Sequence, residues 1–497
     1  MGSKSLWTQI VDTNWAQDVS SLPTRYLPPG NLQMLYSQCP GGMSYSHFTR
    51  RYNHRWANIL RFAHPTNFPA CDDCTAYKTA FEDSTDALDK FTISKQYKSH
   101  LDAVGEDRKF ENWLQDSKPG DATLLIHADG MDQSKWVVPR RRHHLLTKSL
   151  SKYDRPKSKL QGIWLHGFAM FLYVLEPRLA GDGSMVSECL VRSLDKMHEY
   201  CTNHNIAFPR RVMLWVDNTV KESKNNTVYK LLSFILLQKG LELVGICMSR
   251  VGHTHGCLDQ CFGIISRAMK FVDDLADDDD IVEKVTRIVQ KVNLKAWLGS
   301  ATVYVEKLES VRDFKSWLEH APVRYAGALK DDISGAHSFV FLRRRDVPTH
   351  LHISCSSDRW PEQSNDVICL VKRFASDKNL SQDPVLVWPQ AFMGLLPPLP
   401  QEPRPVRCFD VERRKKLLAL ADTLLNTDAT ESTGRTVRYL CKLAAAHAEP
   451  APLPRLTWLL NRTVDEYDAL ISFDASSIRH MQHIVPQMRF AALFKKA

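Results

Sequence analysis

Two aspartates stand where short apolar runs stop. Val212 to Val216 reads as a buried strand followed at once by Asp217-Asn218, and Thr123 to Ala128 reads the same way and ends in Asp129-Gly130. If the two strands lie side by side in one sheet, their terminal carboxylates converge at its edge. Carboxylates that close repel each other, and a divalent cation neutralises the pair. Magnesium suits such a place because it takes oxygen ligands and keeps several of its waters. The plainer reading of each is an Asp that favours a turn. Glu222, just past Asp217, likewise reads either as a substitute ligand or as a helix-start carboxylate favoured by the dipole.

Cys71-Asp72-Asp73-Cys74 has a different metal-ligand spacing, one that lets two thiolates bind a single tetrahedral zinc. His54, His64, His100 and Cys39 are available for the remaining positions, and no second regularly spaced pair selects among them. Two ordinary cysteines at a helix start are the competing reading. Among 12 cysteines only this pair and Cys257/Cys261 are close in sequence, which argues against a disulfide framework and for a reducing compartment. Arg140-Arg141-Arg142 and Arg343-Arg344-Arg345 are runs that could contact phosphates.

The elements needed to position these residues follow from periodicity. Thr123 to Ala128 comes first, then Gly162 to Phe168 and Ala169 to Leu175 as a meander. A helix from Ser187 carries Leu190, Leu194 and Met197 on one side. Next come the strand ending at Asp217, a helix from Asn225 to Lys239 stopped by Gly240, a strand from Leu241 to Cys247, and a helix from Cys257 to about Phe271 that carries Asp259. The order is strand, strand, strand, helix, strand, helix, strand, helix.

That order, with acids after the first and fourth strands and a third on the late helix, resembles the ribonuclease H-like catalytic core of DDE transposases and retroviral integrases. The motifs are most similar to those of an uncharacterised transposase-like family: Ala128 to Gln133; Asp217-Asn218 with Lys221-Glu222 and Asn225-Asn226; and Gly252-His253-Thr254-His255 ahead of Asp259. The resemblance covers roughly residues 45 to 350. It implies a mixed five-stranded α/β sheet flanked by helices, with Mg2+ or Mn2+ held by Asp129, Asp217 and Asp259. It implies phosphodiester cleavage and strand transfer on DNA, a nuclear location and assembly as a homo-oligomer. Asn218, His253, His255 and Glu222 take auxiliary roles in that picture. The third acid is Asp where integrases use Glu, and Gly256-Cys257 occupies the place of an acidic pair in the relatives. Those departures keep open a domesticated, catalytically inactive relative that binds DNA or chromatin.

The whole chain fits such a protein. With 497 residues, 43% of them hydrophobic and 24% charged, it is globular and long enough for several units. The net charge of +9 tilts mildly towards an anionic partner. The start of the sequence lacks the apolar core of a secretory signal, and the most apolar run, Gly162 to Leu175, is too short to span a bilayer. These features predict an intracellular protein that does not enter membranes. The expected divisions are a helical N-terminal region over 1–118 carrying the Cys71/Cys74 pair, the core over 119–300, a small β-rich domain over 301–396, and a Pro-rich linker with a basic helical tail over 397–497. The acidic run at Asp277 to Asp280 reads as a solvated loop.

Overall fold

The structure is a computed structural model. It describes residues 25–27, 31–37, 42–57, 60–62, 71–115, 123–131, 136–141, 152–153, 155–217, 222–250, 252–253, 256–272, 274–291, 302–319, 336–346, 366–375, 380, 384–388, 399–427, 430–445, 447 and 449–456. Residues 1–70 and 71–497 form two compact units. In the first, β1 (Arg25–Leu27) pairs in parallel with β2 (Leu60–Phe62), and between them come α1 (Leu32–Ser37) and α2 (Tyr45–Arg51). The sequence anticipated helix here and missed the short strands, which offer too few residues for a period to register.

The second unit is built on one mixed sheet of nine described strands. Its centre holds β3 (Thr123–Met131), β5 (Lys159–Leu165), β6 (Ala169–Leu175), β7 (Arg211–Val216) and β8 (Leu243–Met248), in the spatial order β6-β5-β3-β7-β8. The meander β3, β5, β6 is antiparallel, whereas β7 joins β3 and β8 joins β7 in parallel. The intervening β4 (Arg140–Arg141) pairs outside this sheet, with β9 (Asp274–Leu275).

The separate β-rich domain expected over 301–396 is instead the rest of the same sheet. β10 (Thr302–Leu308) adds in parallel to β6 at one edge. β11 (Ser338–Arg343), β12 (Val367–Lys372) and β13 (Val385–Trp388) extend the other edge from β8 as antiparallel neighbours. The physical reason is burial on both faces. Every residue of β11 and β12 is buried, and such strands need a sheet edge and two covering layers. The anticipated strand at Leu351 to Ser354 lies outside the described residues.

Helices cover both faces. On one side α5 (Gly183–Asn203), α6 (Asn226–Lys239) and the short α9 (Phe314–Glu319) share a core with Leu124, Ile126, Ala128, Val212, Leu214 and Val216. The Asn225 side chain caps α6 by accepting from the Thr227 and Val228 N–H groups, and Gly240 ends it at φ 62°. On the other side, α7 (Cys257–Met269) and α8 (Asp278–Lys291) pack on the meander, joined by α10 (Val411–Thr427) and α11 (Glu431–Ala444). Helices α3 (Asp72–Asp83) and α4 (Ala87–Gln115) lead into the sheet, with Phe110 and Leu114 against Leu125, Met213 and Trp215.

Two further expectations change for electrostatic reasons. The acidic run is the start of α8, not a solvated loop: Asp278 is fully buried and accepts from Tyr439 Oη at 2.9 Å and from Ser158 Oγ, while Asp280 accepts from the Ala276 N–H at 2.7 Å. The helix N-terminus favours that charge. The described part of the Pro-rich segment, residues 399–405, is not a free linker either. Arg404 forks onto Asp182 at 2.8 and 3.0 Å, and Arg312 Nε donates to Pro400 O at 3.2 Å. Of the helical tail, the described part docks on the core through Leu417, Leu420, Leu424 and Leu440.

Arg312 is held by the wholly buried Glu188, whose Oε1 accepts from Arg312 Nη1 at 2.6 Å and from Arg192 Nε at 2.7 Å. Removing one member of a buried pair strands the other charge. Glu188→Ala is therefore expected to cost about 3–5 kcal/mol in urea unfolding, and an unchanged midpoint would show that the pair does not hold α5 to the 310–312 segment.

Candidate metal centre

The parallel register of β3 and β7 runs from Thr123 opposite Arg211 to Ala128 opposite Val216. The next residues on the two strands are Asp129 and Asp217. Side chains alternate along a strand, so Asp129 shares the face of Leu125 and His127, and Asp217 shares that of Met213 and Trp215. This is the face away from α5 and α6. Both acids line a cavity of about 260 Å³ with Glu111, His127, Trp215, Gly256, Leu258 and Asp259. At about 30 Å³ per water in the liquid, that volume corresponds to roughly nine waters.

Asp259 arrives from the first turn of α7. What lets this helix lie so near is Gly162, which pairs with Asp129 across β5 and β3. A Cβ there would stand 3.0 Å from both Leu258 Cδ2 and Phe262 Cζ. One oxygen of Asp259 accepts from the Gly256 N–H at 3.0 Å, so the carboxylate also fastens the start of its own helix.

The acids are electrostatically coupled. Burial, joined by the charges of Asp259 and Asp217, pushes the Asp129 carboxyl up to about 7, against the Gly130 N–H, which donates at 2.7 Å, and Lys159. Lys159 is buried and ion-paired to Glu222. Glu222 is thus tied to a lysine, and does not line the cavity.

Beneath the acids is a chain of polar groups that the sequence reading passed over. Glu111 of α4 accepts from His127 Nε2 at 2.9 Å, and His127 Nδ1 lies 2.6 Å from His166 Nε2. Cys257 Sγ is 3.6 Å from His127 Nδ1 and 4.0 Å from His166 Nε2. Burial, and then His127, hold His166 down to about 2, so it is neutral; burial, and then Glu111, push the Cys257 thiol up to about 12. A carboxylate only accepts, so His127 Nε2 carries the proton of the Glu111 contact. The available signal was period two: His127 stands two residues before Asp129 on the same face.

Among the described residues, two groups of His and Cys have ligand atoms all within 4.8 Å of one another: His127, His166 and Cys257, and Cys71, Cys74, His100 and His253. The carboxylate trio is not one of them. Two oxygens on one Mg2+ are at most about 4.2 Å apart, so a single ion does not reach all three acids at these positions. A pair of ions about 3.5–4 Å apart spans more.

The remaining anticipated residues fall elsewhere. His253 belongs to the Cys71/Cys74 group rather than to the acids. Arg140 Nη1 donates to Met269 O at 2.6 Å, and Arg343, 2% exposed, is ion-paired to Asp346 at 2.7 Å. Both guanidiniums hold local structure, and the buried one, Arg343, does not reach the surface. The Arg344 N–H donates to Asp366 O at 2.7 Å and its side chain is partly buried. Asn218, His255, Arg142 and the side chains of Arg141 and Arg345 lie outside the described residues.

Residues 148–356 match a family profile described as a domain of unknown function, DUF7869. No curated protein matches the sequence. Among solved structures, the chain is similar to a Mos1 transposase paired-end complex with left transposon end, at 10% identity and a TM-score of 0.22, over 54% of this chain and 84% of that one. A pre-cleavage Mos1 transpososome matches at 12% identity with the same TM-score and coverage. Superposition that loose assigns no role to any residue. No helix among the described residues is long and apolar enough to cross a membrane.

Asp129 gives a pH dependence with a definite sign. Its proton is held to about 7 in the folded chain against 3.8 ordinarily, so between those values the folded state binds more protons than the unfolded one. Its contribution to stability is complete below about pH 3.8 and is lost as pH rises through about 7. Without divalent cations, the melting temperature of the wild type should therefore fall relative to Asp129→Asn between pH 5 and pH 8, and added Mg2+ should restore only the wild type. Parallel pH profiles for the two proteins would refute the coupling.

Proposed function

We propose that the chain is a transposase-like protein performing metal-dependent phosphodiester cleavage and strand transfer on DNA, with Asp129, Asp217 and Asp259 as its carboxylate centre. The observation that carries this reading is the meeting of Asp129, inside β3, and Asp217, just past the end of the parallel neighbour β7, with a third acid from α7 in one cavity. The donor set fits the cations proposed: three carboxylates and no sulfur among them, which favours Mg2+ or Mn2+. The central strand order, with β3 beside β7, supports the ribonuclease H-like character of the core, here carried on a wider sheet.

When bound, a pair of divalent cations supplies activation of the attacking oxygen and charge stabilisation at the leaving one. The protein's own part is positioning and electrostatics. Asp129, whose carboxyl feels both other acids, would hold a cation together with them. Asp217 and Asp259 flank it from β7 and α7. The His127–His166–Glu111 chain holds the floor of the cavity fixed from below, and Trp215 walls one side. Work in the nucleus as a homo-oligomer follows from the same reading.

A second reading, DNA binding without cleavage, is favoured by one contact. Asp259 already accepts from the Gly256 N–H, which leaves less of that carboxylate for a metal. Nicking of labelled duplex DNA, assayed with Mg2+ and compared with Asp217→Asn, separates the two. The proposal expects cleavage by the wild type and a loss of at least about a hundredfold in the variant. Salt-sensitive DNA binding with no cleavage by either protein would select the second reading.

A further inference from the structure

The Cys71/Cys74 pair was legible in the sequence, but its partners were not. Cys71 is the N-cap of α3 and Cys74 lies in that helix's first turn, so both thiols share a face. They are 6% and 8% exposed. His100 comes from α4, which packs alongside α3, and His253 comes from the loop between β8 and α7. The distances are 3.5 Å from Cys71 Sγ to His100 Nε2, 3.4 Å from Cys74 Sγ to His253 Nε2, and 3.3 Å between the two Nε2 atoms.

A tetrahedron with Zn–N near 2.05 Å and Zn–S near 2.3 Å has N···N edges of about 3.3 Å and N···S edges of about 3.6 Å. The measured separations are those edges. The other histidine pair makes the contrast: His127 and His166 are 2.6 Å apart, a hydrogen-bond length and too short for two ligands of one zinc.

We infer that Cys71, Cys74, His100 and His253 form a structural zinc site that ties the α3–α4 pair to the loop leading into α7. Two thiolates and two imidazoles are a donor set for zinc rather than for magnesium, and four protein ligands close the coordination shell. The surroundings are shaped for it. Asp73 Oδ2 lies 3.7 Å from His100 Nδ1, the ring nitrogen not turned to the cluster, where an acid orients a ligating imidazole. Gly252, at φ 76°, sits so close to Cys71 that a Cβ would fall 2.4 Å from its Cα; only glycine brings His253 onto the thiols. Arg250 Nε donates to Asp107 Oδ2 at 2.8 Å, fixing the same loop to α4 a second way. Because this loop enters α7, the zinc would set where that helix begins, and with it Asp259. The site stands independently of the carboxylate proposal.

The test is metal content and coordination of the purified full chain. Elemental analysis after exhaustive dialysis should find about one zinc per chain. Exchange with Co2+ should give tetrahedral d–d bands with thiolate-to-cobalt charge transfer of two-sulfur intensity. Cys74→Ser should lose the metal, whereas Cys257→Ser, in the other cluster, and Asp217→Asn, in the acid cavity, should keep it. Since a ligand-free variant can misfold, His100→Cys provides the complement: it should fold, retain zinc and shift the cobalt spectrum towards three sulfurs. A folded wild type that takes up neither metal would overturn the assignment, as would cobalt spectra unchanged by Cys74→Ser and His100→Cys.

Discussion

The second unit is organised by the parallel pairing of β3 with β7, whose register stops one residue short of two aspartates. Neighbouring strands are about 4.8 Å apart, so this pairing sets two carboxylates at a distance where both cannot be charged cheaply. The register is not negotiable. Val212, Leu214 and Val216 fill the layer under α5 and α6, while Met213 and Trp215 fill the layer under α4. A slip by one residue would exchange those sets and drive Asp217 into an apolar interior. Hydrophobic patterning on both faces of the strand therefore enforces an electrostatic arrangement that would not form by itself.

Bringing in a third acid requires a helix to approach the sheet beside Asp129, where β3 pairs with β5. Gly162 provides the clearance on β5, and the buried Leu258 and Phe262 on α7 use it. The Asp259–Gly256 contact then has a double consequence. It consumes part of the carboxylate's capacity, yet it removes rotameric freedom from a side chain that must point one way. An aspartate serves both ends here because its short side chain reaches the backbone of its own first turn. A longer acid would extend further into the cavity and cap less well.

The chemistry-bearing strands were readable because they are long apolar runs with abrupt polar ends, and the helices between them because they carry a clear 3.6-residue stripe. What was not readable was long-range. Nothing local distinguishes His100 from His54 or His64 as a partner for Cys71, and only the packing of α4 beside α3 selects it. His253 is adjacent in sequence to the acid-bearing helix and was grouped with it for that reason; in space it faces the thiols. The runs at 339–342, 367–371 and 385–388 are strands as read, but strand character says nothing about which sheet a strand joins. The acidic run at the start of α8 misled because like charges usually mean solvent, and its partners, Ser158, Tyr439 and Arg435, lie far away in sequence.

The neutral His166 under the cavity bears on what the acids require. A protonated imidazole beside three carboxylates would have relieved their repulsion from within the protein. Instead His166, stacked on Trp164 at 4.2 Å and buried against His127, is held uncharged down to about pH 2. The lysine that Asp129 does feel is already committed to Glu222. The fold thus places three acids around one cavity, while His166 stays neutral and Lys159 is shared with Glu222. For the proposed cation site, affinity should rest on the acids' spacing far more than on any single hydrogen bond around them.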